Sequence, residues 1–149
     1  PGGAVYIDRS RLRSQGWETS VSLAGPASNL LLAVLLSLPF LLGFRPPDEG
    51  WFWPAYSFFV MLQVSAVLMN LLPIPGLDGF GAISPWLPRS VSESLNRHAN
   101  GGMWVLFIVL WYVKPANEAF WNIVYLVTHA LGVSPEMAWV GYQDFKFWE

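Results

Sequence analysis

Two long stretches without a charged side chain dominate this sequence. Thr19 to Phe44 runs for 26 residues and Gly50 to Leu77 for 28. A bilayer core of about 30 Å is crossed by about 20 helical residues. Each run is therefore long enough to span, even with tilt, and long for a single buried helix in a chain of 149 residues. A very apolar helical bundle in solution is the alternative. The first run does not read as a secretory signal, because it begins 18 residues in and contains Gly25-Pro26.

Composition supports the membrane reading. Charged residues make up 12% of the chain and apolar ones 54%, against about 25% charged in an average soluble domain. That deficit excludes a disordered chain, an acidic tail and a basic nucleic-acid binder. The net charge of −2 offers no phosphate-neutralising surface, and the absence of cysteine excludes disulfides and thiolate metal sites.

Two shorter apolar runs follow. Gly101 to Val113 stops at Lys114-Pro115, and Ala119 to Val133 carries only His129 as a possible charge. Pro115 and the Asn117-Glu118 pair are expected to break the helix between them. The first of these runs is short for a full span; the pattern predicts a third span bent or ended near Pro115, then a shorter interfacial or re-entrant helix. Residues 91–98 read as a surface helix, with Ser90 and Glu93 as a capping box and Glu93 and Arg97 as an i,i+4 pair. Ala4–Ile7, after Gly2-Gly3, reads as a short strand.

The basic residues Arg9, Arg11 and Arg13 precede the first span, and Arg89 and Arg97 follow the second. The connector between the spans holds Arg45 against Asp48 and Glu49. The positive-inside rule places the N-terminal flank and the 79–100 segment in the cytoplasm, with the acidic hairpin opposite. Trp17, Trp51 and Trp53 stand at span ends, as interfacial anchors do.

Asp78 is the residue most able to carry chemistry. It closes the second uncharged run, in Asn70-Leu-Leu-Pro-Ile-Pro-Gly-Leu-Asp-Gly79. A carboxylate near membrane depth is costly and needs a partner or a wet cavity. Pro73 and Pro75 force extended backbone before it and remove two donors. Non-helical backbone at that depth survives only inside protein or lining a cavity. One reading is an unwound helix end that presents Asp78 inward; the other is a helix ending at Leu72 with Asp78 in water.

Small and polar residues stripe both spans. Ser22, Gly25, Asn29, Ala33 and Ser37 share one face of the first, and Tyr56, Gln63 and Asn70 one face of the second. Such stripes suit close helix packing around a polar interior, but by themselves they favour the plainer reading of simple interhelical hydrogen bonding. His98 and His129 read as structural. No His-Glu-x-x-His motif occurs in the chain.

The segments Leu23-Ala-Gly-Pro-Ala-Ser-Asn29 and Asn70 to Gly79 resemble the second and third signature blocks of site-2 proteases, which are multi-pass intramembrane zinc metallopeptidases. The resemblance implies that Asp78 is the third zinc ligand. It implies that Gly25, Asn29, Asn70 and Gly79, with Pro73 and Pro75 of the same block, line the site or contact substrate. Phe80 stands where the family usually has a second glycine. The first block, a helix with His-Glu-x-x-His that brings two ligands and the general base, is missing and would have to precede Pro1.

The expectation is an all-α, multi-pass transmembrane bundle of about three spans plus a short C-terminal helix. Residues 1–149 form one membrane-embedded peptidase-like domain that lacks an upstream helix. By resemblance its cofactor is zinc, its partners are the lipid bilayer and a transmembrane protein or peptide substrate, and nucleic acid is not among them. The setting expected is a bacterial-type plasma membrane. This chain alone would be inactive. A non-catalytic membrane protein, as pseudoprotease or assembly partner, is the alternative, and an ion path through Asp78 a weaker one.

Overall fold

The computed structural model of the protein describes residues 14–44, 50–97 and 99–146. The Ala4–Ile7 strand, Arg9, Arg11 and Arg13, the Arg45–Glu49 connector and His98 lie outside the described residues. The described chain forms seven α-helices: α1 (Gln15–Leu41), α2 (Phe52–Asn70), α3 (Asp78–Ile83), α4 (Arg89–Arg97), α5 (Ala99–Tyr112), α6 (Lys114–Ala130) and α7 (Pro135–Phe145). A 3₁₀ turn at Ser84–Trp86 extends α3. No strand occurs among the described residues.

Helix α1 has 27 residues, about 40 Å at 1.5 Å per residue, and α2 has 19. Both are long and apolar enough to cross a membrane. Their outward faces carry bare hydrocarbon: Leu31 and Leu35 on α1 and Phe59 on α2 are exposed, as are Trp104, Ile108 and Trp111 on α5. An exposed apolar surface this continuous fits lipid rather than water. The protein core lies where α1, α2, α6 and α7 meet, around Ala33, Phe58, Met61, Val64, Val124 and Ala138. Tyr56 donates from α2 to the Leu36 carbonyl of α1 at 2.8 Å.

Glycines close two helices in the same way. Gly43 follows α1 at φ 85° and Gly132 follows α6 at φ 77°. At each end the residue after the glycine donates back to a carbonyl five residues earlier, Phe44 to Pro39 and Val133 to Thr128, which is the Schellman arrangement. Gly132 also lies against the backbone of Phe40 and Leu41, so the C-terminal ends of α1 and α6 abut.

The third span departs from expectation. Helix α5 has 14 residues, about 21 Å, too short to cross. The helix break falls at Val113, and Pro115 sits in the first turn of α6, where its missing N–H is no loss. Asn117 lies inside α6 and its Nδ2 donates to the Leu110 carbonyl at 2.8 Å, so it closes α5 rather than breaking a helix. Helices α6 and α7 together form a pair bent by 116° that is long enough to count as one broken span. The described helices thus supply two spans, or three with that pair.

Helix α7 has no counterpart in the sequence reading. Ser134 caps it, accepting from the Met137 amide at 3.2 Å, with Pro135 and Glu136 in the first turn. It packs along α2, where Gly141 rests on the Pro54 carbonyl with no room for a side chain. Helix α4 spans Arg89–Arg97, so Ser90 lies within it. The Pro88 carbonyl receives the first amides, of Val91 and Ser92, and no capping box forms.

Candidate metal centre

Local chemistry explains the path from α2 to Asp78. Pro73 and Pro75 cannot continue the helix, and the chain leaves it at Leu71. The Leu77 amide bonds the Ile74 carbonyl at 3.0 Å across Pro75 and Gly76, and Gly76 has φ 101°. Proline then glycine with positive φ is the type II turn requirement. Leu77 is extended (φ −105°, ψ 160°), and helix resumes at Asp78.

This turn folds α3 back onto the end of α2. A Cβ on Gly79 would overlap the Leu71 carbonyl and stand 2.6 Å from the Leu72 oxygen, so only glycine permits the approach. Phe80, at the position of family departure, is buried. On the other side Asp78 faces α1, where its Oδ2 lies 3.3 Å from the place a Cβ on Gly25 would occupy. The structure thus shares features with both sequence readings: the helix ends before the prolines, and Asp78 approaches α1 while its side chain stays partly exposed.

Asp78 is half-buried. Its partial burial raises the carboxyl above its usual range, since removing solvent disfavours the charged form. Among the described residues no hydrogen bond or ion pair holds its carboxylate.

The other expected residues divide. Gly25 and Gly79 bracket Asp78 from two sides. Pro75 shapes the turn and its carbonyl lies against Gly102 of α5, while Pro73 is exposed. Asn29 is one turn along α1 from Gly25 and Asn70 ends α2. Both are half-buried, and no side-chain hydrogen bond joins either to Asp78. His129 lies in the last turn of α6, the end that abuts Phe40. Phe40 is 15 residues from Gly25, about 22 Å along α1, so His129 is remote from Asp78. No group of three or more His, Cys, Asp or Glu residues able to hold a metal occurs among the described residues.

Sequence reasoning missed Thr19 and Trp86, which together with Ser22 hold α3 on α1. Ser22 did stand on the small-residue stripe, and its Oγ lies against Gly81. No feature of the sequence pairs the other two.

Comparison with known proteins decides the relationship. The chain is 40% identical over 149 residues to a protein of Mycolicibacterium smegmatis called "Putative zinc metalloprotease Rip2", a match to 99% of this chain and 56% of that protein. The Rip2 protein of Mycobacterium tuberculosis strain H37Rv is 37% identical over 148 residues, with the same shares. A Bacillus subtilis protein named in the same way, YwhC, is 29% identical over 114 residues, 70% of this chain and 50% of that one. The chain is thus similar, over nearly its whole length, to proteins that carry the zinc metalloprotease name. It spans 56% of the length of its Rip2 relatives. No family model matches it, and no solved structure does. These similarities and the all-helical fold, with helices long and apolar enough to cross a membrane, agree with the resemblance drawn from the two sequence blocks.

Proposed function

We propose that this chain is the part of an intramembrane zinc peptidase, of site-2 protease type, that brings the carboxylate ligand to the metal. The observation that carries this reading is the Asp78 carboxylate. It follows an unwound span end, faces the side-chain-free surface at Gly25, and has no hydrogen-bond partner among the described residues.

A lone carboxylate of this kind fits zinc as one oxygen donor, and the remaining donors and the general base come from outside these residues. The chemistry zinc supplies at such a site is Lewis acidity toward a water and a peptide carbonyl. Asp78 contributes the negative charge that holds the cation. The Pro73–Gly76 segment keeps polar backbone at the end of a span, which requires a wet or protein-lined setting, and so marks where water reaches the site. Asn29 and Asn70, whose amides have no hydrogen bond among the described residues, would bind the backbone of a substrate. A transmembrane substrate has to unwind first, because its peptide groups are paired within its own helix. Arg89 and Arg97 follow the site on α4, so the positive-inside rule puts Asp78 toward the cytoplasm.

Cleavage tests the reading. The full-length protein is reconstituted in vesicles with a transmembrane peptide substrate, as wild type, Asp78→Asn and Asp78→Ala. Both variants should lose cleavage, the second more completely. Cleavage at the wild-type rate by Asp78→Ala would overturn the assignment.

A further inference from the structure

Helix α3 is six residues long and its N-cap residue, Leu77, supplies no side-chain cap. A helix this short has no stability of its own, so its position is set by whatever grips it. Gly79 seats its start on the end of α2, and the rest of the grip, including every side-chain hydrogen bond to it from α1 among the described residues, comes from one face of α1. Thr19 donates from Oγ1 to the Ala82 carbonyl at 2.8 Å and accepts from the Trp86 indole Nε1–H at 3.0 Å. One turn on, Ser22 meets Gly81, and the next step up the same face is Gly25 beside Asp78. Gln15 Nε2 adds a bond to the Pro85 carbonyl at 2.8 Å. As α1 rises through 19, 22 and 25, its partners fall through 82, 81 and 78, which is an antiparallel register.

A hydroxyl has one proton and lone pairs to accept with. Thr19 uses the proton on the main chain of α3 and a lone pair on the turn that follows it. From α1 it thus bonds both α3 and the 3₁₀ turn through one side chain. Ser22 and Gly25 make van der Waals contacts, which permit sliding; the Thr19 bonds do not.

We infer that Thr19 and Trp86 form a clip that fixes the height of α3 on α1, and thereby the position of the Asp78 carboxylate at the metal. Thr19 is a positioning residue, acting through α3 without touching the metal or the substrate. The inference rests on the reading of Asp78 as a zinc ligand. Ligand distances in zinc sites hold to about 0.2 Å, and supporting partners of ligands are typically worth about 10–100-fold in metal affinity. A slip of α3 by a fraction of a residue along α1 exceeds that tolerance.

The test is zinc affinity of the full-length protein, by competition with a fluorescent chelator, in wild type, Thr19→Val, Thr19→Ser, Trp86→Phe and Asp78→Ala. Valine keeps the shape and removes both bonds. Serine keeps the hydroxyl. Phenylalanine keeps the ring and removes only the indole donor. Thr19→Val should weaken zinc by about 10–100-fold, Trp86→Phe by less, and Thr19→Ser should recover most of the loss. Affinity for zinc in Thr19→Val equal to wild type, with Asp78→Ala weakened, overturns the clip and leaves the ligand assignment standing. A serine variant as weak as the valine one also overturns it, because the hydroxyl is then not the cause. Zinc affinity unaffected by Asp78→Ala overturns the ligand reading itself.

Discussion

The tightest backbone approach at the site is the one at Gly79, and substituting alanine there turns the packing into a measurement. The added Cβ would stand 2.6 Å from the Leu72 oxygen and closer still to the Leu71 carbonyl, where ordinary contact begins near 3.4 Å. The obstacles are main-chain atoms of the turn, not the tips of flexible side chains. The start of α3 therefore has to retreat by roughly 1 Å. Overpacking of this kind costs about 1–3 kcal/mol, and an obstacle made of backbone places Gly79→Ala near the upper end. The retreat also moves Asp78 well beyond the tolerance of about 0.2 Å for a zinc ligand. Two other glycines calibrate the result. At Gly81 the Cβ would meet the Ser22 Oγ at 2.7 Å and the Ser22 Cβ at 3.2 Å; the hydroxyl can change rotamer and the Cβ has to give only by a few tenths of an ångström, so the cost should be about 1 kcal/mol, below that at Gly79. At Gly101 a Cβ meets nothing within 4 Å, and alanine in a helix should gain about 0.5–1 kcal/mol. Denaturant unfolding in mild detergent, followed by tryptophan fluorescence, gives the ranking. Zinc content of the full-length variants gives the functional consequence. A Gly79→Ala protein as stable as Gly81→Ala, with full zinc content, would refute the proposed packing of α3.

Two more expectations follow from the fold and the charge pattern. Ser134→Ala removes the cap of α7 and should cost about 0.5–2 kcal/mol, seen as faster hydrogen exchange at the Met137–Gly141 amides; unchanged protection would show that α7 is held by its packing on α2 alone. The chain contains no cysteine, so single cysteines at Ser14, Ser92 and Asp48 report topology cleanly: an impermeant thiol reagent outside the cell should label only the Asp48 position, and labelling of all three would reject the orientation.

What the sequence made legible was what short-range chemistry controls. The two spans follow from the exclusion of charge over more than twenty residues. The Pro75-Gly76 pair specifies the turn that delivers Asp78, because proline and glycine meet its two dihedral requirements locally. The break between α5 and α6 was seen but displaced, since Pro115 can either end one helix or open the next. The choice depends on the Asn117–Leu110 bond, which only the fold shows. Helix α7 carried a start signal in Ser134-Pro135-Glu136, yet its 11 residues are too few for a span. Its main support, the seat of Gly141 on Pro54, joins residues far apart in the chain. The same holds at the site: Thr19 and Ala82 are 63 positions apart, and no local pattern announces that pair. Asp78 stands out from its sequence setting alone, whereas the contacts of Thr19 with Ala82 and Trp86 do not.

The central claim is that Asp78 binds zinc, and metal analysis of the purified full-length protein tests it most directly. Wild type should carry zinc in equimolar amount after exhaustive dialysis. Asp78→Ala should retain little, and Asp78→Asn an intermediate amount because an amide oxygen is a weaker, uncharged donor. His129→Ala, remote from the site, should match wild type. Equimolar zinc in Asp78→Ala would contradict the account.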